Sequence, residues 1–224
     1  INHPENLQAS SSLDDADLAK ASDVFVVTRY AAMVDHPIMY AAPDIASARI
    51  GSMDLILSIY SPRNKNISTN VFMPDLGKMI RAQKAYLGNI NNTKKYAVLT
   101  YISTNAKDDA HGFGALEHNT STTAVFAENM KTKDLIHVIS HEFFHTLTPL
   151  NVHSKEIQDF DFNSPKMSAH LWMYEGFTEY FANLFQVNQG LITEDEFYAL
   201  MSEKERYAIA NYPKDISFAY GQRE

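Results

Sequence analysis

Two histidines one helical turn apart, set in a run of regularly spaced apolar residues, narrow the folds open to this chain more than any other stretch. The segment 132–147 reads TKDLIHVISHEFFHTL, and Leu135, Ile136, Val138, Ile139, Phe143, Phe144 and Leu147 recur at helical spacing. It predicts an amphipathic helix, with Thr132 as N-cap and Asp134 in the first turn, where a negative charge suits the helix dipole. Within it stands His141-Glu142-Phe143-Phe144-His145, the pattern H-E-x-x-H. Residues four apart on a helix share a face with Cβ atoms about 5–6 Å apart, so both imidazoles can converge on one metal ion. Glu142 is placed as the general base for a water on that metal. The plainer alternative is a buried helix whose histidines hydrogen-bond to neighbours, and a third ligand is what separates the two.

That ligand cannot be sulfur. The 224 residues include no cysteine, which removes thiolate sites and disulfides together and leaves His, Asp and Glu as donors. A later run, Trp172-Met173-Tyr174-Glu175-Gly176-Phe177-Thr178-Glu179-Tyr180, supplies two carboxylates four apart on a second helix. One can bind metal while the other holds a histidine ligand in place; we assign Glu175 to the metal and Glu179 to the holding role, and the swapped roles stay open.

Acidic residues outnumber basic ones, 27 to 19, with no cluster of Lys or Arg. This disfavours nucleic acid and anionic membrane surfaces as partners. No apolar run approaches the ~20 residues of a membrane span. The chain begins at Ile1 without a charged-then-apolar leader, which is read as a trimmed or matured product.

In chain order, residues 1–22 read as a polar tail or a short helix, Val24–Tyr30 as a strand, and His36–Pro43 as irregular. A soft boundary is placed near Ile50. Asp54–Tyr60 reads as a strand and Val71–Leu87 as a helix with Pro74 in its first turn, stopped by Gly88. Tyr96–Ser103 is a strand, and residues 112–128 are two short strands around a turn. After an irregular stretch, a long helix begins near Ser164-Pro165 and closes before Gly190, with Trp172, Phe177 and Phe181 as core residues. Thr193-x-x-Glu196 is a capping box opening a last helix to about Ala210. His137 is expected to pack or hydrogen-bond. His111, His118, His153 and His170 are weaker candidates for contacts near the site.

HEFFH followed by W-x-x-E-G-x-T-E resembles the thermolysin-like gluzincin metallopeptidases. GALEH at Gly114–His118, HEFFH with the trailing PLNVHSKEI, and LWMYEGFTEYF are similar, in that order, to the M61 peptidases, the glycyl aminopeptidase family. The resemblance spans roughly Val24 to Leu200. It implies an α+β fold, a thermolysin-like zinc metallopeptidase catalytic domain in which a mixed β-sheet subdomain precedes a helical one and the H-E-x-x-H helix lies between. On this basis residues 1–50 are a tail with the remnant of an upstream β-rich domain, and 51–224 are a catalytic domain truncated at its C-terminus.

The resemblance also implies site residues. In related aminopeptidases a G-x-M-E-N strand lines the cleft, its Glu binding the substrate's α-ammonium and its backbone pairing with the peptide. Glu117 matches that Glu and Gly114 and Ala115 that backbone, although Leu116 replaces the Met and His118 the Asn. Relatives place an oxyanion-stabilising Tyr or His downstream, where this chain has Tyr207, Tyr212 and Tyr220 in no recognisable motif. The function implied is a zinc aminopeptidase, with one Zn²⁺ per chain and peptides as substrates, releasing small N-terminal residues of the Gly or Ala type. The alternatives are an endopeptidase with the same metal centre and a non-catalytic cell-surface protein that keeps the fold. An exported location is expected, and oligomeric state is not legible.

Overall fold

Alternate residues of Met53–Tyr60 anchor the sheet: Met53, Leu55, Leu57 and Ile59 are fully buried while Asp54 and Tyr60 are exposed. The computed structural model of the chain describes residues 1–17, 19–42, 44–63 and 67–211. A five-stranded mixed sheet has the order β3-β4-β5-β7-β6, built from β3 (Ile45–Ile50), β4 (Met53–Tyr60), β5 (Lys95–Ser103), β6 (Gly114–His118) and β7 (Ser121–Ala127). β4, β5 and β7 run parallel, and β3 and β6 are antiparallel strands at the two ends. A parallel β4–β5 pair needs a crossover, and helix α2 (Thr69–Leu87) supplies it.

α2, α3 (Thr132–Phe144) and α5 (Leu171–Asn188) join the inward strand residues in one core. Phe143 meets Tyr96 of β5 edge-on at 4.8 Å between ring centroids, and Phe144 packs on Phe185 of α5 at 5.7 Å. The apolar face of α3 is therefore clamped between sheet and α5, which turns its histidine-bearing face toward β6 and α5.

Several expectations are corrected. Residues 1–22 are not a free tail, because β1 (Gln8–Ser10) pairs antiparallel with β2 (Met39–Ala41), the latter inside the stretch read as irregular. Val24–Tyr30 is not a strand: Phe25 makes an isolated bridge to Asp15, Val24 and Val26 are exposed, and Tyr30 opens the short helix α1 (Tyr30–Val34). β-branched residues favour a strand only where a pleated neighbour can cover them. The boundary near Ile50 falls inside the β3–β4 hairpin, whose pairing runs from Ile45↔Ser58 to Ile50↔Met53, so Ile45–Ile50 belongs to the main sheet.

Helix ends also shift. α2 starts at Thr69, which leaves Pro74 in its interior, and α3 starts after Lys131 with Thr132 already helical and ends at Phe144, with His145 as C-cap. α5 starts at Leu171, since residues 159–170 hold only turns and a loop, and α4 (Lys155–Gln158) is a single turn. Trp172, Phe177 and Phe181 are exposed rather than core, although Phe181 still meets Phe144 at 6.3 Å between ring centroids.

The last helix, α6 (Glu194–Asn211), buries no residue, so its start rests on local bonds. The Thr193 amide donates to Glu196 Oε2 at 2.8 Å and the Glu196 amide to Thr193 Oγ1 at 3.2 Å, the reciprocal capping box. Thr193→Ala is expected to cost about 1 kcal/mol locally, read as faster hydrogen exchange in the first turn of α6 with little change in global unfolding. Unchanged exchange there would show that the box contributes nothing. No described helix is long and apolar enough to cross a membrane.

Candidate metal centre

His141 lies in the last turn of α3 and His145 just beyond it, and Glu175 projects from α5 toward both. His141 Nε2 is 3.1 Å from His145 Nε2 and 3.2 Å from Glu175 Oε2, and the third side, His145 Nε2 to Glu175 Oε2, is 3.8 Å. Ligand bonds of about 2.0–2.2 Å arranged tetrahedrally need donor separations of about 3.3–3.5 Å, so this triangle fits a small divalent ion.

The other ring nitrogens are committed. His141 Nδ1 donates to Glu179 Oε2 at 2.8 Å and His145 Nδ1 to the Thr148 carbonyl at 2.9 Å, which turns both Nε2 atoms inward. His145 is almost fully buried. Burial alone would lower the pKa of His141, but its bonds to Glu175 and Glu179 outweigh that and raise it to about 9. The two carboxylates thus favour positive charge at His141, the place where a metal ion would bring it.

Glu142 faces the same space without belonging to the triangle. Burial, with Glu117 and Glu175 adding repulsion, pushes its carboxyl up to about 7 against the pull of His141. Its Oε2 is buried without a hydrogen-bond partner among the described residues. A buried acceptor so placed suits a proton-transfer group better than a structural one.

β6 brings a further carboxylate, Glu117, to Glu142 and His145. One oxygen of Glu117 and one of Glu142, with a ring nitrogen of His145, lie within 4.8 Å of one another. Gly114 and Ala115 stand on the same strand, which among the described residues pairs with β7 alone and so presents a free ladder edge.

Other histidines stay out of the triangle. His137 Nε2 lies 3.5 Å from Glu179 Oε1, His118 contacts Asp35 and Thr123, and His170 pairs with Glu156. His111 and His153 bond to backbone carbonyls of Lys107 and Pro149. Tyr207 is exposed on α6, and Tyr212 and Tyr220 lie outside the described residues, so no oxyanion partner is assigned. Two groups escaped sequence reasoning: the Thr148 carbonyl, which carries no residue-type signal, and Lys204, whose Nζ lies 2.5 Å from Glu179 Oε1.

A mixed sheet, a core-clamped H-E-x-x-H helix and a carboxylate from the following helix define a domain of the zinc-metallopeptidase type. Residues 134–214, which hold both helices, match the model of the M61 glycyl aminopeptidase family, in keeping with an M61 gluzincin-type peptidase. No curated protein matches the sequence. Among solved structures, an aminopeptidase N family protein from Idiomarina loihiensis superposes with a TM-score of 0.69 at 20% identity, over 85% of this chain and 33% of its own. An M1 zinc metallopeptidase from Deinococcus radiodurans gives 0.57 at 16% identity, over 94% of this chain and 44% of its own. The chain thus spans a third to under half of the structures it resembles, and the likeness is one of fold.

Proposed function

We propose that this chain holds a zinc ion at His141, His145 and Glu175 and hydrolyses peptide bonds next to a free amino terminus. The observation that carries the reading is the inward-facing triangle with the Glu142 and Glu117 carboxylates gathered beside its His145 corner. Zinc, when bound, would make water acidic enough to attack at neutral pH and polarise the scissile carbonyl.

The protein's own groups do the rest. Glu179 and Thr148 hold the two imidazoles in the tautomer that ligation requires. Glu142 takes a proton from the attacking water at its unpartnered Oε2 and hands it to the departing amine. Glu117 pairs with the substrate's α-ammonium, and the free edge of β6 at Gly114 and Ala115 receives the peptide backbone as an added strand. Small first residues are the proposed preference, as in the M61 resemblance.

A panel of free and N-acetylated short peptides, assayed with and without a chelator, tests this. Free peptides should be cut, acetylated ones spared, and chelator should stop the reaction. Glu117→Gln should raise KM for free peptides by about tenfold or more, since a charge-assisted bond is worth about 1.5–3 kcal/mol. Cleavage of acetylated peptides at the same rate would replace this reading with an endopeptidase, and an inert chain with zinc bound would favour a binding role.

A further inference from the structure

Glu179 is a hub rather than a simple partner of His141. Its Oε2 accepts from His141 Nδ1 at 2.8 Å, while its Oε1 accepts from Asn183 Nδ2 at 3.1 Å and Lys204 Nζ at 2.5 Å and faces His137 Nε2 at 3.5 Å. Four side chains from α3, α5 and α6 therefore meet on one carboxylate. Lys204 is the contribution of α6, a helix that buries no residue and whose other described link to α5 is the Tyr180–Phe197 ring contact at 6.3 Å.

We propose that Lys204 is a positioning residue for the metal centre, locking the Glu179 carboxylate so that His141 keeps its Nε2 aimed at the ion. This rests on the zinc reading of the triangle given above. The terminal torsion of a glutamate is broad and roughly two-fold, so a carboxylate held at one oxygen swings and exchanges its oxygens easily. Lys204 and Asn183 hold the second oxygen and remove that freedom. A wandering Glu179 would let the His141 ring tilt, and the cost would appear as lost metal affinity.

A lysine also has an opposing effect. Its positive charge draws on Glu179 and would make His141 a weaker donor. Lys204 is 44% exposed, so solvent and salt screen its longer-range pull on the ion more than they weaken its direct contact with Glu179. Ordering therefore wins, and removal of Lys204 should weaken zinc binding.

Zinc affinity, read by competition with a chromogenic chelator, tests this on the 224-residue chain. Lys204→Met keeps the apolar stem and should weaken zinc about three- to tenfold, less than the 10–100-fold typical of residues that hold a ligand directly. Lys204→Arg should restore most of the loss. In a Glu179→Ala background, Lys204→Met should change affinity by less than about twofold, because the lock has nothing left to hold. Unfolding of the metal-free variants monitors the fold separately. Wild-type affinity in Lys204→Met, or an equal loss with Glu179 absent, would overturn the positioning role while leaving the zinc site intact; failure of the unaltered chain to bind zinc would overturn both.

Discussion

Glu142→Gln is expected to leave about one zinc per chain in place while lowering peptide hydrolysis by about 10²–10⁴-fold, the range for loss of a positioned general base. In the proposed reading the ligands are His141, His145 and Glu175, so the substitution removes none of the three. Glu142 is buried, and Gln preserves its volume while losing the ability to accept and return a proton. Metal analysis and turnover of the same preparation check both halves. Activity within tenfold of the unaltered chain would remove Glu142 from the chemistry, and loss of zinc would place it among the ligands.

The second large effect concerns metal itself. His145→Ala should weaken zinc binding by more than about 100-fold, beyond what loss of an outer partner does, because a direct donor disappears. His145 is almost wholly buried and its Nδ1 is tied to the Thr148 carbonyl, so its removal takes a held donor out of the triangle. Competition against a chelator gives the number, and His118→Ala serves as control, its ring being engaged by Asp35 and Thr123 instead. Equal affinity in the two variants would mean that the metal sits elsewhere.

The legible parts of this molecule are those where local pattern and tertiary environment agree. The alternation in β4 and the apolar stripe of α3 each describe one face meeting one core, as the edge-on contact of Phe143 with Tyr96 shows. The convergence of His141, His145 and Glu175 follows from spacing on two helices, whereas placing Glu117 beside them needed the resemblance, since a strand glutamate carries no periodic signal of its own.

Where pattern and environment part, reading fails. Val24–Tyr30 has strand composition but forms only an isolated bridge, and Trp172, Phe177 and Phe181 have core composition but stay exposed. Lys204 was invisible for the opposite reason. On a helix with no buried residue, a lysine reads as solvated, and only the packing of α6 beside Glu179 gives it a partner.

The position of Glu117 on the terminal strand β6 has a further consequence for a substrate laid along that edge. Strand residues advance about 3.3 Å each and alternate in direction, so an anchor on the strand and an ion beyond it stand in a fixed relation of register. In the proposed reading the carboxylate is the zero mark of a ruler and the metal its first graduation. Such a ruler measures from an end, not from a sequence, and a peptide whose amino terminus is blocked has no end to measure from.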